Sequence, residues 1–270
     1  MKRFTRLFAP LAAALISTGA FAQAQPQTQD KPFEPQVGQA GKDVVWVPTP
    51  QALVDKMLEM AKLTPKDYLI DLGSGDGRTV ITAAKRGSRA HGIEYNPDMV
   101  ELSIRNAKKE GVSSRATFEK ADIFQSDFSK AQVITLFLLP SLNMKLRPTL
   151  LNMKPGTRVV ANSFDMEDWK ADQTATVQGC TSWCTALLWI IPAKVDGTWK
   201  LSNGGELQIT QTFQMLTGQS RTGNTNTLIS GRMNGEEISF TAGTVQYSGR
   251  VNGNVIEGTA RPGGAFKATR

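Results

Sequence analysis

Metal chemistry has little to work with in this chain. Its 270 residues hold one histidine, His91, and two cysteines, Cys180 and Cys184. A structural zinc site takes about four nitrogen or sulfur ligands, so no metal is expected, and His91, inside a strand pattern, reads as structural. No run of Lys and Arg is interleaved with aromatics, which argues against a nucleic-acid partner. The one apolar run near the N-terminus, Leu7 to Ala20, is short of the ~20 residues that span a bilayer, so no stable membrane span is expected. From Val195 onward helical periodicity is absent, and that region carries no constellation of catalytic residues. The apolar share, 40%, is ordinary for a globular chain of one or two domains.

The N-terminus carries Lys2, Arg3 and Arg6, then the apolar run, then Ala-Phe-Ala ending at Ala22. This is the pattern of a secretory signal peptide over residues 1–22, with cleavage after Ala22 and a periplasmic or secreted product. Its removal would take the net charge from +7 to +4. Residues 23–42 are rich in Gln, Pro and Ala and read as a disordered linker. An oxidising compartment lets Cys180 and Cys184 pair, in a small loop worth about 2 kcal/mol of chain entropy and suited to a hairpin tip.

The densest signal runs from Tyr68 to Asn96. A strand (Tyr68 to Leu72) enters a turn carrying Gly73, Gly75 and Gly77; a helix (Arg78 to Arg86) and a second strand ending at Glu94 follow. This is half of a doubly wound nucleotide-binding fold, with its ligand at the carboxyl ends of the strands. The glycines let a ligand approach the backbone, and Glu94 can accept hydrogen bonds from both hydroxyls of a ribose. The spacing D-x-G-x-G-x-G, with Arg78 where a dinucleotide fingerprint has its third glycine, resembles motif I of class I S-adenosylmethionine-dependent methyltransferases. The resemblance implies S-adenosyl-L-methionine as cofactor, held by Asp71, Gly73, Ser74, Gly75, Gly77, Glu94 and Asn96. It also implies that Asp122 meets the adenine amine, with Ile123 and Phe124 against the ring.

Around this core, Gln51 to Leu63 reads as a helix preceded by V-P-T-P. Thr49 and Pro50 are either helix-start residues or part of a lid over the cofactor. Pro97 to Gly111 reads as an amphipathic helix and Thr117 to Glu119 as a short third strand. Val133 to Leu138 reads as a doubly buried fourth strand that delivers Leu139, Pro140, Ser141 and Asn143 to the acceptor side. A helix over Met144 to Met153, a fifth strand over Thr157 to Ala161, and a hairpin over Thr174 to Ile191 complete a seven-stranded sheet. Thr49, Leu139, Pro140 and Asn143 are the candidates on the substrate side.

The domain expected over residues 43–193 is therefore α/β and Rossmann-like, with a small antiparallel β domain over residues 194–270. In the latter, Asn-Gly at 234–235 and 252–253 marks hairpins, within the repeat S-G-R-M-N-G and S-G-R-V-N-G. A meander or partial barrel is expected, serving packing, oligomerisation or substrate docking.

V-P-T-P, D-L-G-S-G-D-G-R, G-I-E-Y-N-P, A-x-F-x-x-A-D-I-F, F-L-L-P and the spacing from Phe164 to Trp169 together resemble one methyltransferase group. It is that of the mitochondrial protein-lysine methyltransferases acting on ATP synthase c subunit and adenine nucleotide carrier, with their bacterial relatives. The resemblance covers roughly residues 44 to 170 and implies methyl transfer, with a protein lysine as one acceptor. The β-rich tail and the export signal depart from that group. A binding module for S-adenosylmethionine or S-adenosylhomocysteine without catalysis, and methylation of a small quinone precursor or thiol, are the other readings. No residue is singled out as general base; Asp165, Glu167 and Asp168 are either candidates or a solvated acidic loop.

Overall fold

A computed structural model describes Met1 and residues 33–270. The expected signal peptide and the first part of the expected linker lie outside these. The last part of that linker, 33–42, is folded instead. It turns at Gly38 and bridges Ala40 to Val45, with the Gly38 amide donating to the Trp46 carbonyl and the Trp46 amide to that of Gln39. Composition favoured a solvated chain there, but backbone pairing and packing over the cavity described below outweigh it.

The central sheet follows from the alternation of strands and helices. β1 (Tyr68–Leu72), β2 (Arg89–Glu94), β3 (Ala116–Lys120), β4 (Val133–Leu136) and β5 (Arg158–Asn162) run parallel. β7 (Thr185–Ile190) pairs antiparallel to β5, and β6 (Gln173–Thr176) pairs antiparallel to β7. The order is β3-β2-β1-β4-β5-β7-β6. It reverses direction at β1, and the crevice beside such a reversal is where ligands bind in open α/β sheets.

α1 (Gln51–Met60), α2 (Arg78–Lys85), α3 (Pro97–Lys109) and α4 (Pro140–Leu151) cover the sheet. Successive strand residues point to opposite faces, so β1 contributes Leu69 to one core and Ile70 and Leu72 to the other. The first core is completed by Leu53, Leu58 and Val80, the second by Leu146, Trp169 and Trp189.

α4 starts at Pro140, four residues earlier than the sequence pattern indicated. Proline is tolerated at the first helical position because that N–H has no intrahelical partner. Leu139, the residue before it, makes no side-chain capping bond, so the usual start signal is missing. Pro140, Ser141 and Asn143 therefore belong to the first turn of a helix rather than to a loop above the sheet.

The C-terminal strands β8 (Gly197–Leu201), β9 (Glu206–Thr212), β10 (Met215–Thr222), β11 (Thr225–Asn234), β12 (Glu237–Ala242), β13 (Val245–Asn252), β14 (Val255–Arg261) and β15 (Gly264–Thr269) close into a barrel. Both Asn-Gly pairs sit at hairpins, where Asn234 pairs with Glu237 and Asn252 with Val255. Closure goes beyond the expected meander or partial barrel: Ala268 and Thr269 pair with Leu201 and Lys200, so no long edge is left. Gly249 and Gly258 face each other, and a Cβ on Gly258 would lie 2.0 Å from the Ser248 carbonyl oxygen. Trp199, Leu207, Met233, Ile238, Phe240 and Ile256 fill the interior.

Phe33–Arg270 form one compact unit. The barrel docks through Phe213, which stacks on Trp169 at 5.9 Å between ring centres, and through Gln214 Nε2, which donates to the Lys170 carbonyl at 2.8 Å. Arg232 adds a 2.6 Å ion pair to Asp172.

Candidate active site

Strand β1 ends in Asp71 and Leu72, and the chain then bends through Gly73, Gly75 and Gly77, all with positive φ. Gly77 begins α2, and a Cβ there would meet the Phe118 ring at 2.8 Å and Ser103 Cβ at 2.9 Å, so its role is tight helix–sheet packing. Gly75 faces the opposite way. Its missing Cβ leaves room for the Trp46 indole, whose Nε1 would be 2.8 Å from such an atom.

The bend forms the floor of a cavity of about 570 Å³. Asp71, Gly73, Ser74, Gly75, Glu94, Asn96, Asp122 and Ile123 line it, so the structure brings together eight of the nine residues assigned to the cofactor. Gly77 supports the cavity from behind. Phe124 lies under the Lys145 ammonium, 3.7 Å from its ring centre, outside the lining.

Each acid has a distinct environment. Glu94 is fixed by the amides of Gly75 (3.0 Å) and Asn96 (2.9 Å), one to each oxygen, leaving lone pairs on both for a vicinal diol. Asn96 uses its side chain to cap α3, accepting from the Asp98 amide at 2.9 Å. Asp71 is buried and accepts from the Thr135 hydroxyl at 2.6 Å. Its pKa is raised to about 7, chiefly by loss of water, while the Thr135 hydrogen bond works against this and the Glu94 and Asp76 charges reinforce it. Asp122 accepts from Lys42 Nζ and from the Phe124 amide, both of which hold its pKa below the usual carboxylate range.

A strap closes the open side. Residues 39–49 line the cavity, with Lys42 bonded to Asp122 and Trp46 over Gly75. Arg78 ties the strap to the bend: its guanidinium pairs with Asp76 and donates to the Thr49 carbonyl at 2.9 Å. The Thr49 hydroxyl accepts from Asn162 Nδ2 at 3.2 Å instead of capping α1. Of V-P-T-P, Pro50 sits at the N-cap of α1, as the helix-start reading has it, while Val47, Pro48 and Thr49 line the cavity, as the lid reading has it.

On the substrate side Thr49 and Leu139 line the cavity, while Pro140 and Asn143 do not. Asn143 is buried and spends its amide N–H groups on the carbonyls of Phe164 and Asp165, shaping the acidic loop. None of Asp165, Glu167 and Asp168 lines the cavity, and Asp168 is paired with Arg147. Sequence reasoning missed Trp46, Tyr95, Phe137, Phe164 and Trp183, all of which do. The expected disulfide joins Cys180 and Cys184 between β6 and β7.

The site has the polarity of a methyl-donating adenosine compound. Three carboxylates line it: Asp71 buried on Thr135, Glu94 held by two backbone amides and Asp122 paired with Lys42. The Ser74 hydroxyl is buried beside Gly92 and has no hydrogen-bond partner among the described residues.

Comparison with known proteins agrees. Residues 71–173 match the model of the ANTKMT methyltransferase domain. A protein-lysine N-methyltransferase of Saccharolobus islandicus is 40% identical over 151 residues, spanning 55% of this chain and 94% of that protein. The chain belongs to this methyltransferase family. The rat lysine N-methyltransferase of the ATP synthase c subunit is 35% identical over 130 residues, 48% of this chain and 60% of that one. An RNA methyltransferase from Salinibacter ruber, solved with S-adenosyl-L-homocysteine, is 47% identical and superposes with a TM-score of 0.52, covering 55% of this chain and 96% of that one. This chain is an S-adenosylmethionine-dependent methyltransferase. The family model stops short of the barrel.

Proposed function

We propose that this methyltransferase acts on the ε-amine of lysine side chains in proteins, and that it works outside the cytoplasm after loss of its N-terminal segment. The observation that carries the acceptor reading is the character of the cavity beyond the fourth strand. Phe137, Leu139, Leu142, Phe164 and Trp183 make that end apolar and aromatic. S-adenosylmethionine, held at the end lined by Asp71, Glu94 and Asp122, would supply an electrophilic methyl group on a sulfonium. A lysine amine attacks it only after losing a proton, and its reference pKa is near 10.4. An apolar wall disfavours the ammonium and so promotes that loss. The chain's own residues would position the reactants and exclude water: Asp71, Glu94 and Asp122 would hold the cofactor, and the strap would cover it.

The names of the Saccharolobus and rat relatives support lysine. The Salinibacter relative's name supplies the second reading, RNA. The test is to incubate the chain with methyl-labelled cofactor and either envelope protein or total RNA. Label recovered as methyl-lysine after acid hydrolysis is the expected result; label confined to RNA would reject the lysine reading. Export is tested separately by cell fractionation, where a product retained in the cytoplasm with residues 1–22 intact would reject it.

A further inference from the structure

One feature of the cavity belongs to none of the family motifs. The chain between β6 and β7 runs Gly179, Cys180, Thr181, Ser182, Trp183, Cys184, and the disulfide closes it on itself. Just below, the Val177 amide donates to the Cys184 carbonyl at 2.9 Å, so the loop stands on a paired base. Trp183 has a φ of 55°, a left-handed conformation that bulky side chains seldom adopt. Its ring is directed to Phe137, which follows β4, and to Phe164, which follows β5. The centroids lie 6.0 Å from Phe137 and 5.0 Å from Phe164, and those two are 6.1 Å apart. Trp183 is still 41% exposed. The three rings are thus packed together as one wall, leaving faces turned to the cavity and to solvent.

Two features give this wall a ligand class. Aromatic faces carry negative potential and attract cations, most of all weakly hydrated quaternary ammonium groups. The chain beyond Phe164 adds exposed Asp165 and Glu167, while the three rings carry a single polar group, the Trp183 indole N–H, against the several donors and acceptors that reading the edge of a nucleobase takes.

We propose that Trp183, fixed by the Cys180–Cys184 disulfide, forms with Phe137 and Phe164 the subsite that receives the acceptor's alkyl stem and methylated ammonium. The proposal rests on the lysine reading above and adds where the side chain lies and what holds that place in shape. Trp183 touches the acceptor, and Cys180 and Cys184 are positioning residues whose disulfide acts through it. Without the bridge the left-handed turn at Trp183 has no covalent restraint, and the ring is free to leave Phe164. The cofactor end, built on Asp71, Glu94 and Asp122, contains none of these residues and is unaffected.

The test uses the full chain saturated with S-adenosylhomocysteine and titrated with Nα-acetyl-trimethyllysine amide. Its carbon isostere, with tert-butyl in place of trimethylammonium, and uridine are titrated in parallel. The trimethyllysine amide is expected to bind about tenfold more tightly than the isostere. Its affinity should fall about tenfold in Trp183→Ala and in the double variant Cys180→Ser/Cys184→Ser, and be retained in Trp183→Phe. S-adenosylhomocysteine affinity should be the same in all four proteins, which also reports that the variants fold. Unchanged trimethyllysine binding in Trp183→Ala, or none in the wild type, would overturn the placement, while methyl-lysine formation measured separately would leave the lysine reading standing. Uridine bound through Trp183 with the ammonium excluded would overturn both. Equal binding of the isostere would overturn the cationic class alone.

Discussion

Lys42 Nζ lies 2.8 Å from the Asp122 carboxylate and 4.5 Å from the centre of the Tyr95 ring, so a strap residue latches onto the acid assigned to adenine. A carboxylate has lone pairs enough for an ammonium and an amine together, so the latch and the ligand need not compete. An exposed pair of this kind contributes little to fold stability. Lys42→Ala should therefore leave the unfolding temperature unchanged while loosening the strap, weakening S-adenosylhomocysteine about three- to tenfold, mostly through faster release. Stopped-flow displacement and calorimetry measure both. An unchanged release rate would mean that the strap is held by Trp46 and Arg78 without the latch.

Asp71 should make cofactor binding depend on pH. With its pKa near 7 in the free protein, part of the population is protonated at neutral pH, and a cationic ligand must expel that proton. Affinity should weaken as pH falls below 7, by up to about tenfold per unit, and level off above it. Asp71→Asn should bind more weakly at pH 8 and lose the slope. For folding the sign is opposite to that of a paired carboxylate. Because the folded pKa is raised from 3.8, the contribution of Asp71 to the ligand-free fold is full below about pH 4 and is lost as pH rises through 7. Binding isotherms and denaturant unfolding from pH 5 to 9 test the pair of trends together.

The stretch from Tyr68 to Glu94 was legible because its signals are local. The hydrophobic period switches from strand to helix and back within one unit, and glycines and acids punctuate each switch. β1 matched residue for residue, and α2 ended one residue early. What escaped depended on distance along the chain or on a missing cap. Lys42 sits in a stretch of linker composition and gains meaning only from Asp122, 80 residues later. Trp183 reads as a hairpin tip until Phe137 and Phe164 are placed beside it. The start of α4 was hidden because Leu139 offers no capping oxygen. Barrel closure rests on two residue pairs between β15 and β8, and no local pattern announces that.

The glycines of the bend should separate by experiment into packing and binding roles. Gly77→Ala puts a methyl against Phe118 and Ser103 at a φ of 81°. Strain and overpacking together should cost about 3 kcal/mol of stability. Gly75→Ala also has positive φ, but its methyl meets the Trp46 indole in the strap, which can swing outward. Its main effect should be on cofactor affinity, down about tenfold or more, with a smaller change in unfolding. Thermal melts beside calorimetry decide this; equal destabilisation with equal loss of binding would show that the two positions are not distinct.

The barrel should influence the acceptor side through Trp169. That ring is fully buried, stacked on Phe213 of the barrel, and closes the loop that begins at Phe164. Arg147 also packs on Phe213, 5.3 Å from its ring centre, and pairs with Asp168 in the same loop. Truncating Phe213 to Ala removes a half-buried ring and its stacking partner, a loss of about 2 kcal/mol. If the barrel only stabilises, activity measured well below the melting temperature should be unchanged. If it also holds the loop that presents Phe164 to the cavity, KM for the protein acceptor should rise several-fold while the affinity for S-adenosylhomocysteine stays at the wild-type value. The cofactor end is set by β1, β2 and the strap, none of which includes Phe213, so a change confined to acceptor KM identifies the barrel as a brace for the substrate side.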